Sequence, residues 1–221
     1  MRRREHAAHL IRDYPNAWRV RAQSTYRGVP AEWSAGQERV VVLLPGVYET
    51  WHFLQAVGDA LSERGHPVHV MRVLGFNRSP IPESATRVAR ELAARDLRDV
   101  ALVAHSKGGL IGKQLMSHDD PDSRVDRLIA VATPFAGSRM ARLMLGSTMR
   151  AFLPTDSVIR ALGATRDVNQ RVTSIFPRFD PNIPDGSRLD GATNIEIPVV
   201  GHFRVLDEPA TIAAVIAAVE A

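Results

Sequence analysis

Ser106 is flanked by small residues in Ala104-His105-Ser106-Lys107-Gly108. Before it runs an apolar stretch over 100–103 that reads as a buried strand. After it, Gly109, Leu110, Ile111, Leu115 and Met116 read as a helix. A serine at such a strand-to-helix join matches the G-x-S-x-G nucleophile elbow, with alanine in the first place. The small residues answer a steric demand, because a bulky side chain two positions away would collide with the opposite limb of a strained turn. The turn holds the hydroxyl at the carboxyl edge of a sheet, beside a helix N-terminus whose N–H groups suit a developing oxyanion.

A nucleophilic serine needs a base and a group that orients the base. His202, in Gly201-His202-Phe203 after the last apolar run, is placed to accept and return the serine proton. Asp180 follows the preceding run and is the predicted orienting acid. Asp185 and Asp190 are its rivals, and an aspartate beside proline and asparagine is also a common turn former. The chain order Ser, Asp, His is the one such a site requires. The predicted oxyanion donors are the amides of Lys107 and of Val47 or Tyr48, with Gly46 letting the chain pass close to substrate. Tyr48, Phe135 and Met144 are candidate substrate contacts. The Lys107 charge opposes the helix dipole, so a salt bridge or an acidic substrate is expected to meet it. His105 is expected to point away into packing.

Strands alternate with helices along the body of the chain. Strands are predicted over 39–44, 67–73, 100–103, 127–132, 171–176 and 194–200, and helices from about Glu49 or Thr50 to Arg64, over 83–97, from 108 onward and over 209–219. The pattern is that of a mostly parallel sheet with helices on both faces, whose ligand site lies at the carboxyl ends of the strands. Residues 1–38 read as an arm packed on the body, with a short helix over 6–13 and Trp18, Tyr26 and Trp33 as anchors. Residues 138–168 break the alternation and read as one or two amphipathic helices, either ordinary core or a small cap over an acyl pocket.

With 221 residues, 45% of them hydrophobic, the chain has material for one substantial core, so a single domain over 39–221 is expected. No cysteine is present, which removes disulfides and thiolate zinc sites. The net charge of +4 comes from scattered arginines, with one cluster at Arg2, Arg3 and Arg4, and no nucleic-acid-binding module accompanies them. No apolar stretch is long enough for a membrane span or a secretory signal, so a cytoplasmic protein is expected, with surface contact to lipid left open. Oligomeric state is not legible.

Together, Leu43-Leu44-Pro45-Gly46, Ala104 to Gly109, Ala132-Thr133-Pro134-Phe135-Ala136-Gly137-Ser138 and Gly201-His202-Phe203 resemble the landmarks of α/β-hydrolase fold lipases and esterases. The tail, from Thr173-Ser174-Ile175 to Asp180 and from Ser187-Arg188-Leu189-Asp190-Gly191-Ala192 to His202, is similar to small bacterial lipases of the Bacillus lipase A type. The resemblance covers about residues 39–221. It implies the α/β-hydrolase fold, a carboxylic ester substrate that is a small molecule or a lipid, a Ser106-His202-Asp180 triad with Asp180 as the acid, and no metal or organic cofactor. Pro45 stands where many such enzymes have histidine, and 138–168 is longer than in the smallest members. Thioester or amide cleavage uses the same machinery, and a non-catalytic hydrolase-like module binding a lipid or a protein is the alternative outside enzymes.

Overall fold

Apolar runs without polar alternation need cover on both faces, and the chain supplies it. The computed structural model describes residues 28–143 and 146–221. Its six strands are β1 (Val41–Leu44), β2 (Val68–Val70), β3 (Val100–His105), β4 (Val125–Val131), β5 (Val172–Phe179) and β6 (Thr193–Val200). They lie in the order β2-β1-β3-β4-β5-β6, and every neighbouring pair is parallel. In register, Leu43 faces Val103 and Val103 faces Ile129. All strands therefore end at one edge of the sheet.

The helices are α1 (Gln55–Ser62), α2 (Ile81–Ala94), α3 (Lys107–Gln114), α4 (Ser157–Ala164) and α5 (Pro209–Glu220). Alternate strand residues separate into two cores. Val42, Leu44, Leu102, Ala104, Leu128 and Ala130 pack with the apolar faces of α2, α3 and α4. Val41, Leu43, Ala101, Val103, Ile129 and Val131 pack with α1, α5 and Trp33. Trp33 is fully buried, and Gly58 of α1 leaves the space its ring occupies.

Several boundaries differ from the sequence reading. The strand expected over 67–73 stops at Val70, and Arg72–Leu74 forms a 3-10 turn. β2 is an edge strand, and its exit leaves the sheet to run over the loop that follows β1. The helix expected over 50–64 begins as a 3-10 turn, Trp51–Leu54, before α1. Within 138–168 the structure has a 3-10 turn, Arg139–Leu143, a helical turn, Ser147–Arg150, and α4, which Asp156 caps by accepting from the Val158 and Ile159 amides. Phe152, Ile159 and Leu162 from this segment are buried in the core shared with α3. The helix expected over 6–13, Trp18 and Tyr26 lie outside the described residues. No helix among the described residues is long and apolar enough to cross a membrane.

Candidate active site

Ser106 follows β3 directly and opens α3 with φ 51° and ψ −116°. A non-glycine residue in that region is strained, and the surroundings fix it. The Ser106 amide donates to the Val131 carbonyl at 2.9 Å, and the Ser106 carbonyl accepts from the Gly109 amide at 3.1 Å and the Thr133 hydroxyl at 3.0 Å. The steric reason for Gly108 differs from the expected one. A Cβ there would stand 2.0 Å from the Leu44 carbonyl oxygen and 3.0 Å from that of Pro45, so the glycine admits the exit of β1 rather than the other limb of the elbow.

Asp180 and His202 lie just beyond β5 and β6, at the same sheet edge as Ser106. His202 Nδ1 is 2.7 Å from Asp180 Oδ2, and both residues are about 95% buried. The other carboxylate oxygen, Oδ1, accepts from the amides of Asn182 at 2.8 Å and Ile183 at 3.0 Å. The aspartate is thus both turn former and histidine partner, one oxygen for each. Its rivals are elsewhere: Asp185 accepts from the Arg139 amide and pairs with its guanidinium, and Asp190 is exposed. Ser106 is one residue beyond His105, whose ring lies 4.7 Å from that of His202, centroid to centroid.

The loop after β1 is held from two sides. On one side, Asn77 Nδ2 donates to the Pro45 carbonyl at 2.7 Å, and the Tyr48 amide donates to the Phe76 carbonyl at 2.8 Å. That bond engages the Tyr48 N–H, whereas the Val47 N–H has no hydrogen-bond partner among the described residues. Lys107, as the first residue of α3, has no acceptor for its N–H within the helix. Its side chain is buried and forms no salt bridge among the described residues. Nζ donates to the carbonyls of Asn77 at 2.7 Å and Ser79 at 2.5 Å, tying the β2 exit to the elbow. Burial lowers the Lys107 ammonium to about 8, while Glu83 pulls it back up.

On the other side stands a pair the sequence reading did not join: Glu49, and His105, which is packed inside as expected. The buried Glu49 carboxylate accepts from the Gly46 amide at 2.8 Å and lies 2.8 and 2.9 Å from His105 Nδ1. His105 Nε2 is 3.1 Å from the His202 carbonyl oxygen. Gly46 serves this arrangement, since a Cβ there would lie 2.3 Å from Glu49 Oε1. The signal available in sequence was a glutamate three residues after a glycine and a histidine beside the serine, which do not announce a contact.

Of the expected substrate contacts, Tyr48 is half-buried on the loop, and Phe135 is a core residue with the Lys113 ammonium 5.9 Å from its ring centroid. Met144 lies outside the described residues. Among the described residues no group of three or more His, Cys, Asp or Glu side chains is arranged to hold a metal ion.

The family described as Domain of unknown function (DUF7379) matches residues 5–176. A search of curated proteins gives no match. Among solved structures, the mature lipase BlEst2 of Bacillus licheniformis superposes with a TM-score of 0.67 at 16% identity, covering 88% of this chain and 94% of that one. A hydrolase from Oleispira antarctica gives 0.60 at 15% identity, over 85% and 93%. Alpha/beta hydrolase domain-containing protein 10 from mouse gives 0.59 at 17%, over 84% and 89%. With the parallel six-stranded sheet, these likenesses establish the α/β-hydrolase fold.

Proposed function

The chain belongs to the DUF7379 family, and from the geometry of its own site we propose that it is a serine hydrolase cleaving carboxylic esters through an acyl-enzyme intermediate. One observation carries the reading: a strained serine at the end of β3 shares a sheet edge with the buried 2.7 Å Asp180–His202 pair. Strain of this kind at a loop edge has a use when the side chain must be presented to a substrate.

In this mechanism Ser106 Oγ attacks the ester carbonyl carbon while its proton passes to His202 Nε2. With Nδ1 bonded to Asp180, the ring is held in the tautomer that accepts at Nε2, and the carboxylate stabilises the imidazolium that forms. The carbonyl oxygen becomes an oxyanion and accepts from the Val47 and Lys107 amides. Collapse of the tetrahedral species breaks the bond to the alcohol oxygen, which leaves with the proton from Nε2. Water then repeats the sequence on the acyl-serine, releasing the acid and restoring Ser106. The ester assignment is supported by the resemblance of the 173–202 segment to small bacterial lipases and by the lipase among the solved structures of the same fold.

Labelling with a fluorophosphonate probe, followed by mapping of the modified peptide, tests this reading. Modification is expected at Ser106 and lost in Ser106→Ala and His202→Ala, with melting curves near those of the parent. Asp180→Asn should lower ester turnover by about 10⁴-fold, the scale seen when the orienting acid of such a triad is neutralised. Labelling that survives Ser106→Ala would overturn the assignment. A folded parent that takes no label would point instead to a binding module. Esters of graded acyl length, set against a matched thioester and amide, define the leaving group.

A further inference from the structure

Glu49 and His105 take no part in the chemistry just described, yet they are among the most buried polar residues of those described, 3% and 0% exposed. Their bonds form one line through the loop after β1, the end of β3 and the loop after β6: the Gly46 amide to the Glu49 carboxylate, the carboxylate to His105 Nδ1, and His105 Nε2 to the His202 carbonyl. The proton count along this line is constrained. The His202 carbonyl only accepts, so His105 Nε2 carries a proton, and the short contact between Nδ1 and the carboxylate needs a second one between them. Glu49 and His105 thus hold a shared proton in a site without water access, where an unpaired charge would be costly.

The ends of the line coincide with the parts of the site that have to be set relative to one another. Gly46 precedes Val47, whose amide is the oxyanion donor in the mechanism, and the His202 carbonyl belongs to the residue that moves the proton. Resting on the serine-hydrolase reading, we infer that the Glu49–His105 pair is a positioning device that couples the oxyanion loop to the histidine loop through the back of the elbow. Neither residue has a hydrogen bond to Ser106 Oγ or His202 Nε2 among the described contacts, and the His105 ring lies 4.7 Å from the His202 ring, centroid to centroid. Their effect is on how well the Val47 amide and the His202 ring converge on Ser106 in the transition state, so it appears in kcat and not in KM.

Glu49→Ala removes both bonds at the carboxylate. It is expected to lower kcat by about 10²-fold, at the lower end of the loss of one oxyanion donor, with KM within about threefold. Glu49→Gln retains the shape, since its carbonyl oxygen accepts from the Gly46 amide and its NH₂ donates to a neutral His105. It should recover all but about tenfold of the parent rate. Turnover is expressed per site titrated with fluorophosphonate, because a purely structural role would reduce the folded fraction and leave turnover per titrated site unchanged.

Nuclear magnetic resonance of ¹⁵N-histidine-labelled protein supplies a readout independent of turnover. Two protected ring N–H protons are expected on His105 in the parent and one in Glu49→Gln, and the His202 ring signals should move in that variant through the His105 ring, 4.7 Å away, to which Glu49 is hydrogen-bonded. Unchanged turnover per site, or unmoved His202 signals in folded Glu49→Gln, would overturn the coupling. If the parent takes no fluorophosphonate label, the hydrolase reading fails by itself, and the His202 signals still decide whether the two loops are coupled.

Discussion

Lys107 and Lys113 stand at opposite ends of the same short helix, α3, and burial lowers both ammonium groups to about 8. Their surroundings differ in kind. Lys107 donates to two backbone carbonyls and ties the β2 exit against the elbow. Lys113 has no hydrogen-bond partner for Nζ among the described residues; Nζ faces the Phe135 ring, and Arg166 disfavours its charge further. The glycines follow the same gradient. At Gly108 an added Cβ would meet backbone at 2.0 Å, whereas at Gly112 it would meet the tip of Leu128 at 2.7 Å. The end of α3 beside Ser106 is enclosed by groups that cannot move, and the far end by side chains that can. Rigid enclosure is concentrated beside the strained Ser106.

Substitutions along this one helix test that contrast. The largest effect is expected from Gly108→Ala. The Leu44 carbonyl belongs to a fully buried strand and has no room to retreat, so a loss above about 3 kcal/mol is expected, with no fluorophosphonate labelling at Ser106. Gly112→Ala is the control and should cost about 1 kcal/mol, as one side chain repacks. Chemical denaturation of the two variants measures the difference, and equal losses would dissolve the contrast.

Lys107→Met comes next. It leaves the carbonyls of Asn77 and Ser79 without their charged donor, at a cost of about 2–4 kcal/mol. The loosened 77–79 loop also holds Pro45 through the Asn77 amide, so ester turnover should fall about tenfold or more even where the variant is fully folded. Stability measured by urea titration and turnover per titrated site separate the two consequences.

The smallest effect has the opposite sign. Lys113→Met removes a buried ammonium without a partner and should stabilise the protein at pH 7 by about 1–3 kcal/mol. The pH dependence follows from the lowered native value. Between about 8 and the ordinary 10.5, the unfolded chain binds more protons at this lysine than the native one, so its contribution to stability rises with pH. The advantage of methionine should therefore shrink across that window. Thermal melts of both proteins at pH 7 and pH 9.5 check it, and a gain that grows with pH would show that Lys113 is better accommodated than its orphaned Nζ indicates.

The parts of the molecule legible in the sequence are those encoded by neighbours along the chain. Continuous apolar runs fix strands covered on both faces, as at Val41–Leu44 and Val100–His105. Small residues around Ser106 mark the elbow, and the order of Ser106, Asp180 and His202 places all three after strands. Because parallel strands share one carboxyl edge, that order alone brings the three to the same side. The least legible parts were ends of elements and the purposes of single residues. β2 stopped early because the edge of a sheet offers no second neighbour to hold Val73, and Phe135, in a loop at the site edge, turned inward beneath Lys113.

The sequence by itself determined the parallel α/β architecture and the tight strand-to-helix turn at Ser106, and offered His202 and, beside its rivals Asp185 and Asp190, Asp180 as partners, since each rests on local pattern or chain order. Only the tertiary structure decided that one Asp180 oxygen faces His202 while the other caps its own turn. It also decided that the Lys107 charge ends on two carbonyls, and that Gly46 makes way for Glu49. It joined Glu49 to His105 across 56 residues and His105 to the His202 carbonyl across 97. Hydrogen bonds of that separation carry no periodicity for a sequence to display, because they join strand ends and loops whose meeting point is set by the register of the sheet between them.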